Sequence, residues 1–295
     1  MTIPSAGALL GPVGVVGLGL IGGSIGLDLR DQGVDVRALV HREATAGRAL
    51  ERGLADVVST DPAVLAPCRL VVLALPLDRL LEPAPALLAA LPAGAVITDV
   101  GSVKAPVLER WQPLHPRFVA SHPMAGTSQA GVEAGVRGLF VDRPWVATPG
   151  PTTDPEALDQ VRALALALGA RWFCCAAAAH DRAVALISHL PVLVSGALLQ
   201  AADQGSSAAT ASGEPELPQL VRALASSGFA DTTRVGGGNP ELGTLMARHN
   251  REALLAALGH YRQALDALES DVHAGAWPRL QAELERCQQL RPEFL

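Results

Sequence analysis

The segment Gly17-Leu18-Gly19-Leu20-Ile21-Gly22 constrains the fold more than any other part of the 295-residue sequence. It follows a short apolar run, Val13 to Gly17, and opens an apolar-periodic segment, Ile21 to Leu29. Between a strand and a helix, such glycines permit a sharp turn, close approach of backbone N–H groups to a pyrophosphate, and tight strand–helix packing. A glycine-rich turn in an α/β protein that binds no dinucleotide can have a similar sequence. The strand–turn–helix context nevertheless predicts a dinucleotide site, formed by Gly17, Gly19, Leu20, Ile21 and Gly22.

Further apolar runs bounded by turn residues follow along the first half of the chain. They are Asp35 to Val40, Arg69 to Leu75, Ala95 to Asp99, Phe118 to Ser121, Trp145 to Thr148 and Arg171 to Cys175. Helical patterns fill several of the gaps, at Ala44 to Arg52, Leu80 to Ala90 and Asp154 to Leu168. Strands that alternate with helices predict an α/β fold with a doubly wound, mostly parallel sheet of the Rossmann type.

The strand signal stops near residue 176, and the rest of the pattern is helical. Helices are predicted at Ala179 to Ala202, Glu216 to Ser226, Pro240 to Asn250, Arg251 to about Ala274, and Trp277 to Gln289. The stretch from Asp203 to Pro215 is rich in Ser, Ala and Gly and predicts a mobile surface loop. We therefore expect a dinucleotide-binding domain over residues 1–176 and a helical domain over residues 177–295.

Composition excludes several classes of protein. With 49% apolar residues the chain can bury a large core, and a net charge of −6 without a basic run makes nucleic acid an unsuitable partner. The four cysteines show no metal-ligand spacing, so no metal site and a reducing, cytoplasmic setting are expected. Arg30 is the first basic residue, so no signal-peptide n-region is predicted. The uncharged run from Ala183 to Ala202 carries polar residues and predicts a core or interface helix rather than a membrane span.

The end of the second predicted strand indicates which dinucleotide binds. Enzymes that use NAD place an Asp or Glu there, about 20 residues after the glycines, to accept hydrogen bonds from the ribose hydroxyl. Here His41 and Arg42 follow the strand, and a guanidinium suits the 2′-phosphate of NADP. NADP is therefore predicted, with Glu43 as the alternative partner of a free hydroxyl if the strand ends later.

Polar segments follow further predicted strands, where the ligand crevice of an open α/β sheet lies. Leu75-Pro76 follows the third strand, Asp99 to Lys104 the fourth, and Ser121 to Thr127 the fifth. We expect Leu75 and Pro76 to border the cofactor. A further segment rich in glycine, Asp231 to Glu241, lies in the helical half.

At these segments the sequence resembles the arogenate/prephenate dehydrogenase family, and is most similar to its short, cyanobacterial-type arogenate dehydrogenases. The matching pieces are GLGLIGGS from Gly17, DVGSVK from Asp99, SHPMAG from Ser121, HDRAVALISHLPV from His180, and SSGFADTTRVGGGNPEL from Ser226. The resemblance implies an NADP-dependent oxidative decarboxylation of arogenate to tyrosine and a homodimer formed by the helical half. Prephenate dehydrogenase activity and, in a different class, a non-catalytic dinucleotide-sensing protein remain the alternatives.

The resemblance assigns roles residue by residue. It implies that His122 is the catalytic base, with Ser102 hydrogen-bonded to the same substrate hydroxyl, although Ser102 also suits a helix N-cap. Arg234 matches a clamp for a substrate carboxylate. The other expected substrate-binding residues are His189, Gly126 and Thr127.

Three positions stay open or receive a structural interpretation. His180-Asp181 predicts a helix start with an acidic first turn. Lys104 fits either a ligand contact or an exposed first turn of a helix. Val192 stands where several prephenate-using relatives carry a second histidine; an aliphatic side chain donates no hydrogen bond to a pyruvyl group, which favours arogenate.

Overall fold

Six parallel strands form the main sheet of the protein. The structure, a computed structural model, describes residues 11–127, 129–211 and 213–294. They are β1 (Val13–Val16), β2 (Val36–Leu39), β3 (Val57–Ser59), β4 (Leu70–Leu73), β5 (Val96–Asp99) and β6 (Phe118–Val119). Their order is β3-β2-β1-β4-β5-β6. The chain changes direction of winding between β1 and β4, so the ligand crevice lies at the carboxyl ends of these two strands.

Both faces of this sheet are buried, which confirms the doubly wound architecture. Alternate residues of β4 enter two separate apolar clusters: Leu70 and Val72 enter one, and Val71 and Leu73 the other. The helices that cover the faces are α1 (Leu20–Asp31), α2 (Glu43–Glu51), α3 (Leu77–Leu81), α4 (Pro85–Ala90), α5 (Ala105–Trp111) and α6 (Pro155–Ala167). A 3₁₀ turn, Pro62–Leu65, precedes β4.

Two sequence expectations are wrong in this half. The single helix predicted from Leu80 to Ala90 is two short helices, α3 and α4, because Pro83 and Pro85 interrupt the backbone hydrogen bonds. The run from Phe118 to Ser121 is not one strand: the chain leaves the main sheet at Ala120. A second sheet then forms from β7 (Ser121–Pro123), β8 (Pro144–Ala147) and β9 (Arg171–Cys174). β7 pairs antiparallel with β8, and β9 pairs parallel with it.

Helices make up the rest of the described chain, as predicted. They are α7 (Ala177–Val184), α8 (Leu190–Ala211), α9 (Leu217–Leu224), α10 (Ser227–Thr233), α11 (Pro240–His249), α12 (Arg251–His273) and α13 (Trp277–Leu290), with a 3₁₀ turn at Arg291–Glu293. A π-helical turn, Ala185–His189, joins α7 to α8. The loop predicted from Asp203 is wrong as far as Ala211, where α8 ends. Alanines in this stretch favour the helix, and the Ser206 hydroxyl donates to the Asp203 carbonyl within it.

One helical stretch, Ala177–Ala208, is long and apolar enough to cross a membrane. Its best window has a mean hydropathy of 1.7, and 22% of that window is buried within the chain. Core and interface helices of water-soluble proteins meet the same criterion. The N-terminal residues on which the signal-peptide expectation partly bears, 1–10, lie outside the described residues.

Candidate active site

The glycine turn after β1 has the geometry of a dinucleotide cradle. Gly17 has φ +93°, and a Cβ there would lie 2.4 Å from the carbonyl oxygen of Ala74. A Cβ at Gly22 would lie 2.0 Å from the Gly17 carbonyl oxygen, so both positions require glycine. At Gly19 a Cβ would meet nothing within 4 Å, and Gly19 caps α1 without a side chain. The open side of the turn therefore presents the backbone N–H groups of a 12-residue helix, which fits a pyrophosphate.

The apolar residues expected beside the cofactor line this same turn. Leu20 begins α1, and Ile21 packs on the core cluster beneath it. The Leu75 side chain comes within 3.5 Å of the position that a Gly17 Cβ would take. Pro76 is exposed and caps α3. The ends of β1 and β4 thus place these residues around one crevice.

The end of β2 carries basic groups. The strand ends at Leu39, and His41 and Arg42 are exposed, with Arg42 as the N-cap of α2. Glu43 lies in the first turn of α2, where its carboxylate accepts a hydrogen bond from the Thr60 hydroxyl. The strand does not extend to bring Glu43 to its end, and that carboxylate already has a protein partner.

A chain of hydrogen bonds runs inward from His122, which lies in β7. Its Nδ1 is 2.9 Å from Nε2 of His180, and Nδ1 of His180 is 2.8 Å from a carboxylate oxygen of Asp181. The three side chains are buried, with exposed fractions of 9%, 3% and 6%. His180 and Asp181 lie inside α7 rather than at its start, so the structural interpretation as an acidic first turn is wrong.

The direction of this chain follows from which atoms can donate. An ionised carboxylate only accepts, so Nδ1 of His180 carries the hydrogen, and Nε2 of the neutral ring is then an acceptor. Nδ1–H of His122 therefore donates to Nε2 of His180. Nε2 of His122 then carries no hydrogen and has a free lone pair. These hydrogen bonds therefore leave His122 able to accept a proton at Nε2.

The electrostatics agree with that assignment. Burial, assisted by the neighbouring His180, Lys104 and His189, holds the pKa of His122 well below its ordinary value of 6.5. Burial alone would raise the pKa of Asp181, but hydrogen bonds from His180 and from the backbone N–H groups of Lys104 and Ala105 lower it below 3.8. At neutral pH the base is unprotonated and the carboxylate at the end of the chain is ionised.

A buried ion pair joins the segment after β5 to β7. Lys104 and Asp99 are both 0% exposed, and Nζ of Lys104 contacts the Asp99 carboxylate. Nζ also donates to the Ser121 carbonyl at 2.7 Å, and Asp99 accepts from the Ser121 and Gly101 N–H groups at 3.1 and 2.8 Å. The expectation of an exposed first turn for Lys104 is wrong, and the described partners of its ammonium group are the Asp99 carboxylate and the Ser121 carbonyl. The pair fixes the residue that precedes His122.

Two buried polar atoms in this region have no hydrogen-bond partner among the described residues: Oγ of Ser102 and Nε2 of His189. Ser102 does not cap α5, which begins at Ala105 with Lys104 as its N-cap, so the N-cap interpretation is wrong. His189 ends the π-helical turn, the kind of helix irregularity that is frequent at functional sites. Buried polar groups are normally paired, so both atoms are suited to receive a ligand.

The other residues predicted to bind substrate lie at the protein surface. Gly126 and Thr127 are exposed, as is Arg234, the C-cap residue of α10. The loop after Arg234 is pinned to α8, because the Ser195 hydroxyl donates to the Thr232 carbonyl at 2.8 Å and accepts from the Gly236 N–H at 2.9 Å. Within the part of the chain that the structure describes, Arg234 forms no ion pair and does not reach the His122 chain.

Comparison with known proteins decides the family. Residues 25–174 match the family model for the prephenate dehydrogenase nucleotide-binding domain, and residues 176–286 match that for the prephenate dehydrogenase dimerization domain. The chain belongs to the prephenate dehydrogenase family. The resemblance stated from sequence motifs is confirmed, as is the Rossmann-type sheet followed by a helical half.

Individual members of the family cover most of the chain. Cyclohexadienyl dehydrogenase of Zymomonas mobilis is 30% identical over 88% of this chain and 88% of its own. The crystal structure of Synechocystis arogenate dehydrogenase is 40% identical with a TM-score of 0.77, covering 96% of this chain and 99% of that one. Prephenate dehydrogenase from A. aeolicus, solved with hydroxyphenyl propionate and NAD⁺, is 27% identical with a TM-score of 0.86, covering 96% and 98%.

Sequence reasoning gave His180 and Asp181 only a structural role and did not name Asn250. His180, Asp181 and Asn250 are all buried polar residues of the helical half. Asn250 donates from Nδ2 to the Asp181 carbonyl at 2.7 Å and contacts Nδ1 of His189 at 3.2 Å. The sequence does contain polar residues on helical faces that are otherwise apolar. That pattern predicts a buried network of hydrogen bonds, but it does not show which residues take part.

Proposed function

We propose that this family member converts arogenate to tyrosine by oxidative decarboxylation with NADP. The observation that carries the proposal is the His122-His180-Asp181 chain, because it leaves a bare, unprotonated ring nitrogen in a buried site. The segment after β5, which Asp99 and Lys104 hold against Ser121, carries the buried hydroxyl of Ser102, and that hydroxyl has no partner among the described residues. A base and a hydroxyl group placed together suit the removal of a proton from a substrate hydroxyl.

Each residue of the site has a separate role in the proposed reaction. The glycine turn at Gly17, Gly19 and Gly22 would hold NADP, which would supply the hydride acceptor. Nε2 of His122 takes the hydroxyl proton, and the positive charge that then forms on the ring is stabilised through His180 by the Asp181 carboxylate. Ser102 hydrogen-bonds the same substrate oxygen and keeps it in line with His122. Carbon dioxide leaves from the ring carboxylate, the electron pair of the broken C–C bond makes the ring aromatic, and the proton held by His122 returns to the phenolate oxygen.

Arogenate rather than prephenate is supported by two observations. The Synechocystis arogenate dehydrogenase is 40% identical to this chain, whereas the A. aeolicus prephenate dehydrogenase is 27% identical. Val192 is the third residue of α8, and its Cγ1 lies 3.5 Å from the position that a Gly243 Cβ would take. An aliphatic side chain there offers no donor to a pyruvyl group.

NADP rather than NAD is supported by the end of β2. His41 and Arg42 are exposed where an NAD enzyme carries a carboxylate, and Glu43 is held by Thr60. A guanidinium pairs with a phosphate dianion through two parallel hydrogen bonds.

Crossed steady-state kinetics test both choices together. Arogenate and prephenate are each assayed with NADP and with NAD, and we expect the highest kcat/KM for arogenate with NADP. A higher kcat/KM with prephenate would favour the prephenate dehydrogenase alternative, which relatives of that name in Bacillus subtilis and Lactococcus lactis support at 28% identity. A preference for NAD would overturn the cofactor assignment. Inactivity in all four assays would favour a dinucleotide sensor.

Arg234→Ala is expected to raise the KM for arogenate by about 10- to 100-fold with little change in kcat, because a hydrogen bond to a charged group contributes about 1.5 to 3 kcal/mol. The matched control is Arg222→Ala, which removes an exposed guanidinium paired with Asp203 in the same half. Equal KM values for the two variants would remove Arg234 from the substrate site.

We also propose that the helical half forms a homodimer and that the enzyme works in the cytoplasm. The match of residues 176–286 to a dimerization domain supports the first statement. The long apolar helix supports it as well, since only 22% of its best window is buried within one chain. A dimer interface accounts for that exposed apolar surface without a membrane. Light scattering of the purified protein tests the oligomeric state.

A further inference from the structure

Asn250 lies between the end of α11 and the start of α12, and it is 7% exposed. Its side-chain nitrogen contacts two groups of the site: the Asp181 carbonyl oxygen at 2.7 Å and Nδ1 of His189 at 3.2 Å. A primary amide has two N–H hydrogens, one for each of these partners. Asn250 therefore links the main chain of α7 to the ring of His189.

The orientation of the Asn250 amide is fixed by its surroundings. If the amide were turned over, its oxygen would face the Asp181 carbonyl oxygen, and two acceptors would oppose each other. The nitrogen must lie on this side, so it also donates to Nδ1 of His189. Nδ1 is then an acceptor, and the hydrogen of the neutral ring is on Nε2. Burial lowers the pKa of His189 to about 4, which keeps the ring neutral at physiological pH.

We propose that Asn250 is a positioning residue that holds His189 in its Nε2–H form, so that this hydrogen is donated to a carboxylate oxygen of the substrate. Nε2 is buried and has no partner among the described residues, so its hydrogen is a buried donor left without an acceptor. A carboxylate is the acceptor that makes the strongest bond to such a group. The carboxylate ligand rests on the proposed function, whereas the state of the His189 ring does not.

Together, the two histidines give the site one hydrogen-bond acceptor and one hydrogen-bond donor. The chain through His180 presents a bare nitrogen at His122, and Asn250 presents an N–H at His189. Asp181 takes part in both, through its carboxylate in the first and its carbonyl oxygen in the second. A ligand with a hydroxyl proton to give and a carboxylate oxygen to be held matches this arrangement.

The first test is ¹⁵N NMR of the ring nitrogens in the full chain without ligand at pH 7. Protonated and bare imidazole nitrogens resonate at well-separated frequencies, and loss of signals in His189→Phe identifies those of His189. We expect Nδ1 bare and Nε2 protonated. A protonated Nδ1, in either a neutral or a cationic ring, would overturn the proposal whatever the enzyme's substrate proves to be.

The second test changes Asn250. In Asn250→Asp the side chain only accepts, so Nδ1 of His189 should become protonated. Asn239→Asp is the matched control, because it makes the same chemical change at the N-cap of α11, where Asn239 accepts from the N–H groups of Glu241 and Leu242. We expect that control to leave the His189 ring as in the unaltered protein. An unchanged ring in Asn250→Asp would contradict the proposal.

Binding of hydroxyphenyl propionate, measured by calorimetry, connects the ring to a carboxylate. His189→Phe should weaken its Kd by about tenfold or more, and should weaken the Kd of the matched amide, hydroxyphenyl propionamide, by a clearly smaller factor, because a neutral carbonyl oxygen accepts a weaker hydrogen bond than a carboxylate. Asn250→Ala should weaken Kd for the acid several-fold alone, but by less than about twofold in the His189→Phe background. Additive losses would assign Asn250 a merely structural role. If the Asn250 variants do not fold, the ¹⁵N spectrum and the His189→Phe binding data still decide.

Discussion

His122→Asn is expected to lower kcat by about 10²- to 10⁴-fold, the usual contribution of a general base. Asparagine keeps a polar side chain of similar reach but has no nitrogen lone pair that can take a proton. Because the loss is in the proton transfer rather than in binding, KM should change little. Single-turnover measurement of NADPH formation, alongside steady-state kcat, checks that the chemical step itself is slowed.

The control is His273→Asn, a change at the exposed end of α12 that should leave kcat at its original value. The pH profile gives a second check. Burial holds the pKa of His122 below 6.5, so the base is already unprotonated at pH 6.5. We expect kcat/KM to stay level from neutral pH down through 6.5 and to fall only in more acidic buffer. Near-normal turnover in His122→Asn would refute its role as the base.

Lys104→Met should destabilise the fold by about 3 to 5 kcal/mol, because removal of one partner leaves the Asp99 charge buried and uncompensated. At roughly 2 to 4 °C per kcal/mol for a domain of 150 to 250 residues, the fall in Tm should be on the order of 10 °C. Methionine preserves most of the side-chain volume, so the loss reports on charge rather than on a cavity. Thermal unfolding followed by circular dichroism measures it.

The double variant Asp99→Asn/Lys104→Met should recover much of that loss, because neither charge is then buried. Arg137→Met serves as the exposed comparison: it breaks an ion pair with Asp31 at the surface and should barely alter Tm. Burial also raises the pKa of Asp99, so in Lys104→Met the folded state binds more protons than the unfolded chain. The destabilisation should therefore grow as pH rises, and a loss that shrinks with rising pH would contradict this account.

Local features of the sequence were enough to predict much of the fold. Gly17 and Gly22 predicted the turn because a Cβ at either position would collide with a backbone carbonyl oxygen, and Gly19 leaves the outer side of the turn open. Periodicity located most of the elements. It failed where stability comes from elsewhere: β3, only three residues long, owes its place to pairing with β2, and α8 continues past Asp203 on helix propensity where small polar residues indicated a loop.

The site was less predictable because its members are joined across long stretches of chain. His122 and His180 are 58 residues apart, and Asn250 and Asp181 are 69 apart. No pattern within a window of ten or twenty residues connects them. Lys104 lies in a motif that suggested a helix start. No neighbouring residue in the sequence indicated that its side chain would be buried. The base itself was accessible from the sequence only through resemblance, whereas the groups that set its protonation state required the structure.

The contact of Asp181 with the start of α5 limits how the protein can open. Its carboxylate oxygens accept from the backbone N–H groups of Lys104 and Ala105 at 2.7 and 2.8 Å, so one residue of the helical half is fastened to the nucleotide-binding half. Any swing of one half away from the other that parted this contact would also disturb the protons on His180 and His189. We therefore expect product release to leave this contact in place and to proceed by movement elsewhere, such as at the exposed segment that carries Arg234.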